Sequence, residues 1–213
     1  MMDYISPLTL DAKTDEWLKA VEPFSFTKWE LNPSKSGLLI IDCQNYFVGT
    51  PEPDGSPILP RINALGKAFR DSERPVIFTR HMHKADGSDL GMIGKWWDEN
   101  IIEGTPESEI HASLNVEPGD IVIRKNRYSA FHGTDLDMLL AKLGVEDVVV
   151  SGVMTNLCCE TTARVAFMND FRVFFPADAN STSSEEMHIA SLINIAYGFG
   201  TVMRSSEILD AFK

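Results

Sequence analysis

A chain of 213 residues is long enough to bury one full α/β core without disulfide support. Its 44% hydrophobic and 23% charged residues are typical of folded proteins and argue against intrinsic disorder. The net charge of -12 and the lack of any Lys/Arg run argue against binding to nucleic acid or to an anionic membrane.

The cysteines and the apolar segments predict a cytoplasmic protein. The chain has three cysteines, Cys43, Cys158 and Cys159. Because their number is odd and they lack the spacing of a disulfide framework, free thiols are expected. Apolar runs such as residues 37–41 have the length of a strand and are too short to cross a bilayer. The first residues lack the basic and apolar regions of a signal peptide.

Along the chain, a proline-containing segment is followed by alternating strand and helix patterns. Residues 1–36 hold a short helical pattern at 15–21 and are predicted to form an arm packed on the body. Apolar runs rich in β-branched residues predict strands at 38–42, 76–79, 121–124, 148–151, 172–175 and 201–203. Helical patterns lie between and after them, at 62–71, 135–143, 156–169, 184–196 and 205–212.

This alternation predicts one α/β domain over residues 37–213, built as three α/β/α layers with a six-stranded, mostly parallel sheet. The strands are continuously apolar, as expected for burial on both faces. Ligands of such sheets bind beyond the carboxyl ends of the strands. Polar residues at strand ends are therefore the candidates for a functional site.

Two charged residues stand at predicted strand ends. Asp42 closes the strand at 38–42, and Lys125 follows the strand at 121–124. Taken alone, Asp42 is better explained as a turn or helix-capping residue, and Lys125 as a solvated surface charge.

Cys158 lies where a strand at 148–151 turns into a predicted helix that begins near Asn156. Unpaired N–H groups and the helix dipole favour a thiolate in the first helical turn, and the same N–H groups can stabilise an oxyanion. The alternative is a small buried hydrophobe, the usual role of a free cysteine. Cys159 suits that alternative better, since it is rotated by about 100° on the helix.

Three segments together resemble the isochorismatase-like cysteine hydrolases: residues 37–47, which include Asp42, residues 125–136, which begin at Lys125, and residues 151–164, which include Cys158. The resemblance extends over roughly residues 30–205 and implies a Rossmann-like topology. It also implies a homo-oligomer, a dimer or a tetramer, that acts on a small molecule without a cofactor.

The resemblance implies a mechanism in which Asp42 takes the thiol proton of Cys158 while Lys125 favours the charged pair. The thiolate attacks an amide or ureido carbonyl, expels an amine or ammonia, and leaves a thioester that water hydrolyses. The resemblance further implies a cis Val153–Met154 peptide bond, with the backbone N–H groups of Met154 and Cys158 forming an oxyanion hole.

Two other functions remain open at this point. Members that hydrolyse the vinyl ether of isochorismate lack this cysteine and use the aspartate as an acid, and the N-terminal arm with residues 28–33 resembles those enzymes. A catalytically silent module that serves as a scaffold or binding protein is the third possibility.

A catalytic metal is not expected. Nicotinamidases of this superfamily bind zinc through an Asp-x-His pair and a further His, whereas residues 79–83 contain only His81 and His83. Because side chains alternate along a strand, the two imidazoles are expected to face opposite ways and not to share one ion. This expectation also argues against nicotinamide as the substrate.

The substrate pocket is expected to include aromatic and imidazole side chains. Phe47, His81 and Trp96 are the candidate substrate-binding residues, and the adjacent Trp97 is a further candidate for a pocket wall or a subunit contact. His111, His132 and His188 are expected to be surface or packing residues.

Overall fold

The computed structural model describes residues 4–49 and 56–213. The strands are β1 (Ser36–Ile41), β2 (Val76–His81), β3 (Ile121–Lys125), β4 (Asp147–Val153), β5 (Arg172–Pro176), β6 (Asn180–Ser181) and β7 (Thr201–Met203). The α-helices are α1 (Leu10–Val21), α2 (Asn45–Val48), α3 (Leu59–Asp71), α4 (Ile93–Trp96), α5 (Leu136–Lys142), α6 (Glu160–Met168), α7 (Glu185–Gly198) and α8 (Ser205–Ala211). No helix in the described ranges is long and apolar enough to span a membrane.

The sheet confirms the predicted fold. Its strands run parallel in the order β3-β2-β1-β4-β5-β7, which are the six predicted strands. The seventh strand, β6, pairs with β4 and was not predicted, since two residues carry no readable pattern. Helix α3 packs on β1 and β2, and α6 packs on β4 and β5, giving three α/β/α layers.

Strand burial explains the continuous apolar sequences. Every residue of β1 and of β4 is buried, because these strands lie in the middle of the sheet with helices on either side. Large side chains of the sheet, such as Ile41 of β1 and Phe174 of the adjacent strand β5, are fully buried. The register then aligns the strand ends, with Ile41 opposite Gly152 and His81 opposite Lys125.

The helix that follows β4 differs from the expected one. Residues Thr155–Cys159 form a π-helical turn, and the regular helix α6 begins only at Glu160. The helix therefore begins near Asn156 as expected, but its first turn, which holds Cys158, is π-helical and not α-helical. Single π turns inside or beside α-helices often occur at functional sites.

The predicted arm contains a helix longer than its sequence pattern suggested. Helix α1 begins at Leu10 and buries Leu10, Thr14, Trp17 and Val21 on one face, a spacing of three to four residues. The polar Thr14 on that face hid the pattern. The helix packs against α7, where the indole of Trp17 donates a hydrogen bond to Glu185 (2.8 Å). Residues 1–3 of the arm lie outside the described residues.

Candidate active site

Asp42 follows β1 at the carboxyl edge of the sheet and has a backbone φ of 48°, in the left-handed region. Its carboxylate is fully buried, and its Oδ1 accepts a hydrogen bond from the hydroxyl of Thr79 (2.6 Å). The same hydroxyl oxygen accepts a hydrogen bond from the Asp42 N–H (3.1 Å). Thr79 belongs to the neighbouring strand β2, so two strands hold this carboxylate in one orientation.

Lys125 ends β3 and reaches the same carboxylate. Its Nζ lies 2.5 Å from Asp42 Oδ2 and 3.4 Å from Cys158 Sγ, and it donates a hydrogen bond to the carbonyl of Arg127 (2.9 Å). Neither charged side chain of the pair is exposed. Burial by itself lowers the pKa of Lys125, but the Asp42 carboxylate and the Cys158 sulfur raise it above its usual value. The ammonium is therefore retained inside the protein.

Cys158 lies in the π-helical turn after β4, and only 5% of its surface is exposed. Burial is the largest cause that raises the pKa of its thiol to about 12; Lys125 acts in the opposite direction, and the Asp42 carboxylate acts with burial. A position near a helix start therefore does not leave Cys158 as a resting thiolate. The thiol keeps its proton until a base removes it.

The other two cysteines are buried more completely. Cys159 is 0% exposed and Cys43 is 2% exposed. Burial raises the pKa of both thiols. Cys158 is the only one of the three that lines the cavity described next.

A cavity of about 520 Å³ opens above Cys158 at the carboxyl edge of the sheet. Phe47 and His81, two of the predicted substrate-binding residues, line it, together with Met154. Its other lining residues come from α2, from the segment 93–101 and from the segments after β3, β4 and β6: Tyr46, Ile93, Trp97, Asp98, Glu99, Asn100, Ile101, Tyr128, Leu157 and Ser183. Aromatic side chains make up much of this wall, which suits a small flat molecule.

Trp96 does not line the cavity, which corrects its predicted role. It ends α4 with 78% of its surface exposed, whereas Trp97 leaves the helix in an extended conformation and turns inward. The indole N–H of Trp97 donates a hydrogen bond to the Tyr128 hydroxyl (2.8 Å), and this bond joins two walls of the cavity. The break of the helix between the two tryptophans decides which one faces the site.

His81 and His83 also correct the sequence analysis, because their side chains meet. Their Nε2 atoms lie 3.1 Å apart. Alternation along a strand sends neighbouring side chains to opposite faces but places residues two apart on the same face, so the expectation of opposed imidazoles was wrong. His83 lies just beyond the end of β2, where it bridges to Ile102. Burial and the nearby Lys125 ammonium lower the pKa of His81 to about 4, so this cavity imidazole is neutral near pH 7.

The histidine pair does not by itself make a zinc site. Catalytic zinc takes three protein ligands. In the part of the chain that the structure describes, no group of three or more His, Cys, Asp or Glu side chains could hold a metal ion. The carboxylate beside the pair, Asp89, lies 3.5 Å from Nδ1 of His83, on the ring nitrogen that faces away from His81. These residues do not fit a catalytic zinc ion.

Several residues of the site were not predicted from the sequence. Thr79 ends a predicted strand and contacts Asp42, and its position at that strand end was a usable signal. Tyr46 and Tyr128 lie inside the segments that carry the family resemblance. Glu99 and Ser183 lie in segments without a sequence signal, and only the fold brings them to the cavity.

The turn after β4 agrees with the resemblance in one further respect. The Val153–Met154 peptide bond is cis, as predicted. The Met154 carbonyl accepts hydrogen bonds from the N–H groups of Leu157 (3.0 Å) and Cys159 (3.2 Å), which close the π-helical turn around Cys158.

Comparison with known proteins gives a consistent result. The family model of the isochorismatase domain matches residues 36–207. Nicotinamidase 3 of Arabidopsis thaliana is 46% identical over 184 residues, which cover 85% of this chain and 90% of that protein. Enterobactin synthase component B of Escherichia coli is 30% identical over 192 residues, covering 89% of this chain and 67% of that protein.

A solved structure of a cysteine hydrolase from Pseudomonas syringae superposes with a TM-score of 0.79 at 30% identity, covering 87% of this chain and 95% of that one. The family match and this solved structure agree with the parallel α/β fold. The chain belongs to the isochorismatase family of hydrolases.

Proposed function

We propose that this protein hydrolyses the C–N bond of a primary amide carried on a small flat ring, through a thioester at Cys158. The observation that carries the proposal is the position of Lys125 Nζ, which contacts both the Asp42 carboxylate and the Cys158 sulfur directly below an aromatic cavity. A base, a nucleophile and a fixed positive charge beside a substrate-sized space are the requirements of nucleophilic acyl transfer.

The reaction begins with the thiol, because its raised pKa keeps Cys158 protonated. Asp42 accepts this proton as sulfur attacks the amide carbonyl carbon, and the oxygen becomes an oxyanion. The backbone N–H groups of Met154 and Cys158 are the proposed donors to that oxyanion. Lys125 stabilises the negative charge that is shared between sulfur and the carboxylate during the transfer.

Collapse of the tetrahedral intermediate breaks the C–N bond, and the proton held by Asp42 goes to the nitrogen, so that ammonia leaves. A water molecule then gives a proton to Asp42 and attacks the thioester. The C–S bond breaks, the carboxylic acid is released, and the sulfur recovers the proton from Asp42.

Nicotinamide is the first amide to assay. His81 and His83 were expected to face apart, which argued against nicotinamide, but the two imidazoles are in contact. The relative named Nicotinamidase 3 supports the same choice. The aromatic walls formed by Phe47, Trp97 and Tyr128 suit a six-membered aromatic ring.

The relatives named isochorismatase keep vinyl ether hydrolysis as a second candidate, since one from Bacillus subtilis is 30% identical over 194 residues. In that reaction Asp42 acts as an acid and Cys158 is dispensable. A silent binding module is the third candidate, and it requires neither turnover nor a reactive thiol.

One set of variants separates the three candidates. Ammonia release from nicotinamide is expected to be lost in Cys158→Ala and mostly kept in Cys159→Ala, whose thiol lies outside the cavity. Asp42→Asn should slow both turnover and iodoacetamide labelling of Cys158, because the proton acceptor is gone. Label found by mass spectrometry on Cys43 or Cys159, or full activity in Cys158→Ala, would contradict the thioester route and favour the acid-catalysed one.

A homo-oligomer remains part of the proposal. Met92 and Trp96 expose 70% and 78% of their surfaces on the segment that walls the cavity, which is unusual for large apolar side chains and suits a subunit contact. Sedimentation of the protein at micromolar concentration tests this expectation, and a monomer alone would contradict it.

A further inference from the structure

The charged side chains that line the cavity are all acidic. Asp98 and Glu99 both face it, and no Lys or Arg of the described ranges is among its lining residues. His81 adds no positive charge near pH 7, because burial lowers its pKa to about 4. A molecule in the cavity therefore meets carboxylates along one wall and no free cation.

The nearest cation, that of Lys125, does not offset this wall. Its ammonium is fully buried and paired with the Asp42 carboxylate at 2.5 Å, so the pair presents no net charge to the cavity before the reaction begins. A substrate carboxylate finds no Arg or Lys side chain with which to form the bidentate or charge-assisted hydrogen bonds that such sites use.

The acidic wall continues into a second cavity of about 290 Å³. This cavity shares Tyr46, Glu99, Asn100 and Ile101 with the first one and adds the carboxylate of Glu107. On the shared wall, the Tyr46 hydroxyl donates a hydrogen bond to Glu99 Oε2 (3.3 Å). Burial and this neighbouring carboxylate raise the pKa of Tyr46, so the tyrosine remains a neutral donor that holds Glu99 in place.

We propose that Glu99, supported by Asp98, selects substrates by charge: uncharged and cationic aromatic amides enter the cavity, and carboxylate-bearing amides and ureido acids are rejected. This inference rests on the proposed function and narrows its substrate class. It also favours release of the product, because the reaction converts a neutral amide into a carboxylate, which the same wall disfavours.

The test uses the thiol of Cys158 as a probe, so that it does not depend on amide hydrolysis. Three methanethiosulfonates of similar shape modify thiols: the neutral methyl reagent, the anionic sulfonatoethyl reagent and the cationic trimethylammonioethyl reagent. Labelling is followed by mass spectrometry in the Cys159→Ala background, where Cys158 is the only cysteine of its peptide. Each rate is divided by the rate of free N-acetylcysteine with the same reagent.

In the parent protein, the normalised labelling rate with the cationic reagent divided by that with the anionic reagent should exceed the same ratio for N-acetylcysteine. In Glu99→Gln this ratio should fall about threefold, as expected for loss of one charge near a partly hydrated thiol. Asp98→Asn should lower it in the same direction. The matched control is Glu146→Gln, which removes the same charge at the opposite, amino edge of the sheet, where Glu146 pairs with Lys35. That control should keep the parent ratio, and 0.5 M salt should weaken the selectivity of the parent.

Hydrolysis provides the second measurement. The kcat/KM for benzamide should exceed that for 3-carbamoylbenzoate, and Glu99→Gln should narrow the difference and strengthen inhibition by the benzoate product. A parent ratio equal to that of N-acetylcysteine, or equal changes in Glu99→Gln and Glu146→Gln, would overturn the charge selection. Intact labelling selectivity without hydrolysis of any amide would instead overturn the proposed function alone.

Discussion

Replacing Lys125 by methionine removes a charge from the centre of the site while keeping a side chain of similar length. The lost Nζ contacts Asp42 Oδ2 at 2.5 Å, the Arg127 carbonyl at 2.9 Å and Cys158 Sγ at 3.4 Å. The Asp42 carboxylate stays fully buried and keeps the hydrogen bond that its Oδ1 accepts from the Thr79 hydroxyl (2.6 Å).

Removing one partner of a buried ion pair costs about 3–5 kcal/mol, because the other charge stays desolvated and unpaired. We therefore expect Lys125→Met to lower the free energy of unfolding by that amount. Protonation of Asp42 can relieve part of the cost, but a protonated Asp42 is no longer a base for Cys158. Turnover should fall by about 10²-fold or more, as in other sites that lose one fixed charge.

Urea unfolding followed by tryptophan fluorescence measures the stability, and ammonia release from nicotinamide measures the turnover. Lys35→Met is the control, since Lys35 pairs with Glu146 while both side chains are about half exposed, and such pairs contribute about 1 kcal/mol at most. The double variant Asp42→Asn/Lys125→Met should recover part of the stability and none of the activity. A Lys125→Met protein within 1 kcal/mol of the parent, or one with more than a tenth of its turnover, would refute this reasoning.

Two further predictions concern stability. At Gly152, φ is +118° and a Cβ would lie 2.2 Å from the Ile41 carbonyl oxygen, whereas Gly119, with φ +111°, has open space around it. Gly152→Ala should therefore cost about 3 kcal/mol or more and Gly119→Ala only the smaller backbone strain, and equal losses in urea unfolding would contradict the overlap. In acid, burial lowers the pKa of His81 to about 4 and of His188 to about 3, both below the value of about 6.5 for an exposed histidine. The two neutral imidazoles make their full contribution to the free energy of unfolding above pH 6.5. This contribution is lost as the pH falls from 6.5 towards 4 and 3, by up to about 1.4 kcal/mol per pH unit for each group. His188→Gln should make this decline shallower. Urea unfolding at several pH values measures it, and an unchanged dependence of the unfolding free energy on pH would exclude a contribution from His188.

The amino-acid sequence was sufficient for the fold and for the three central residues. Continuous apolar runs separated by helical patterns define a parallel sheet, because backbone pairing and burial on two faces leave that pattern in the sequence. Asp42, Lys125 and Cys158 could be proposed because each lies at or just beyond the end of a strand, where neighbouring parallel strands meet at one edge, and because the family resemblance includes all three. The cis bond before Met154 followed from the family resemblance.

Only the tertiary structure decided the protonation of Cys158 and the identity of the cavity wall. The pKa of a thiol depends on how much water the surrounding elements exclude, and these elements come from distant parts of the chain, so a favourable helix position did not predict it. The direction of Trp97 depends on where a short helix ends, and that end is set by packing between loops. Glu99 belongs to the same group, since its charge could be counted in the sequence but its place beside the nucleophile arises from long-range contacts alone.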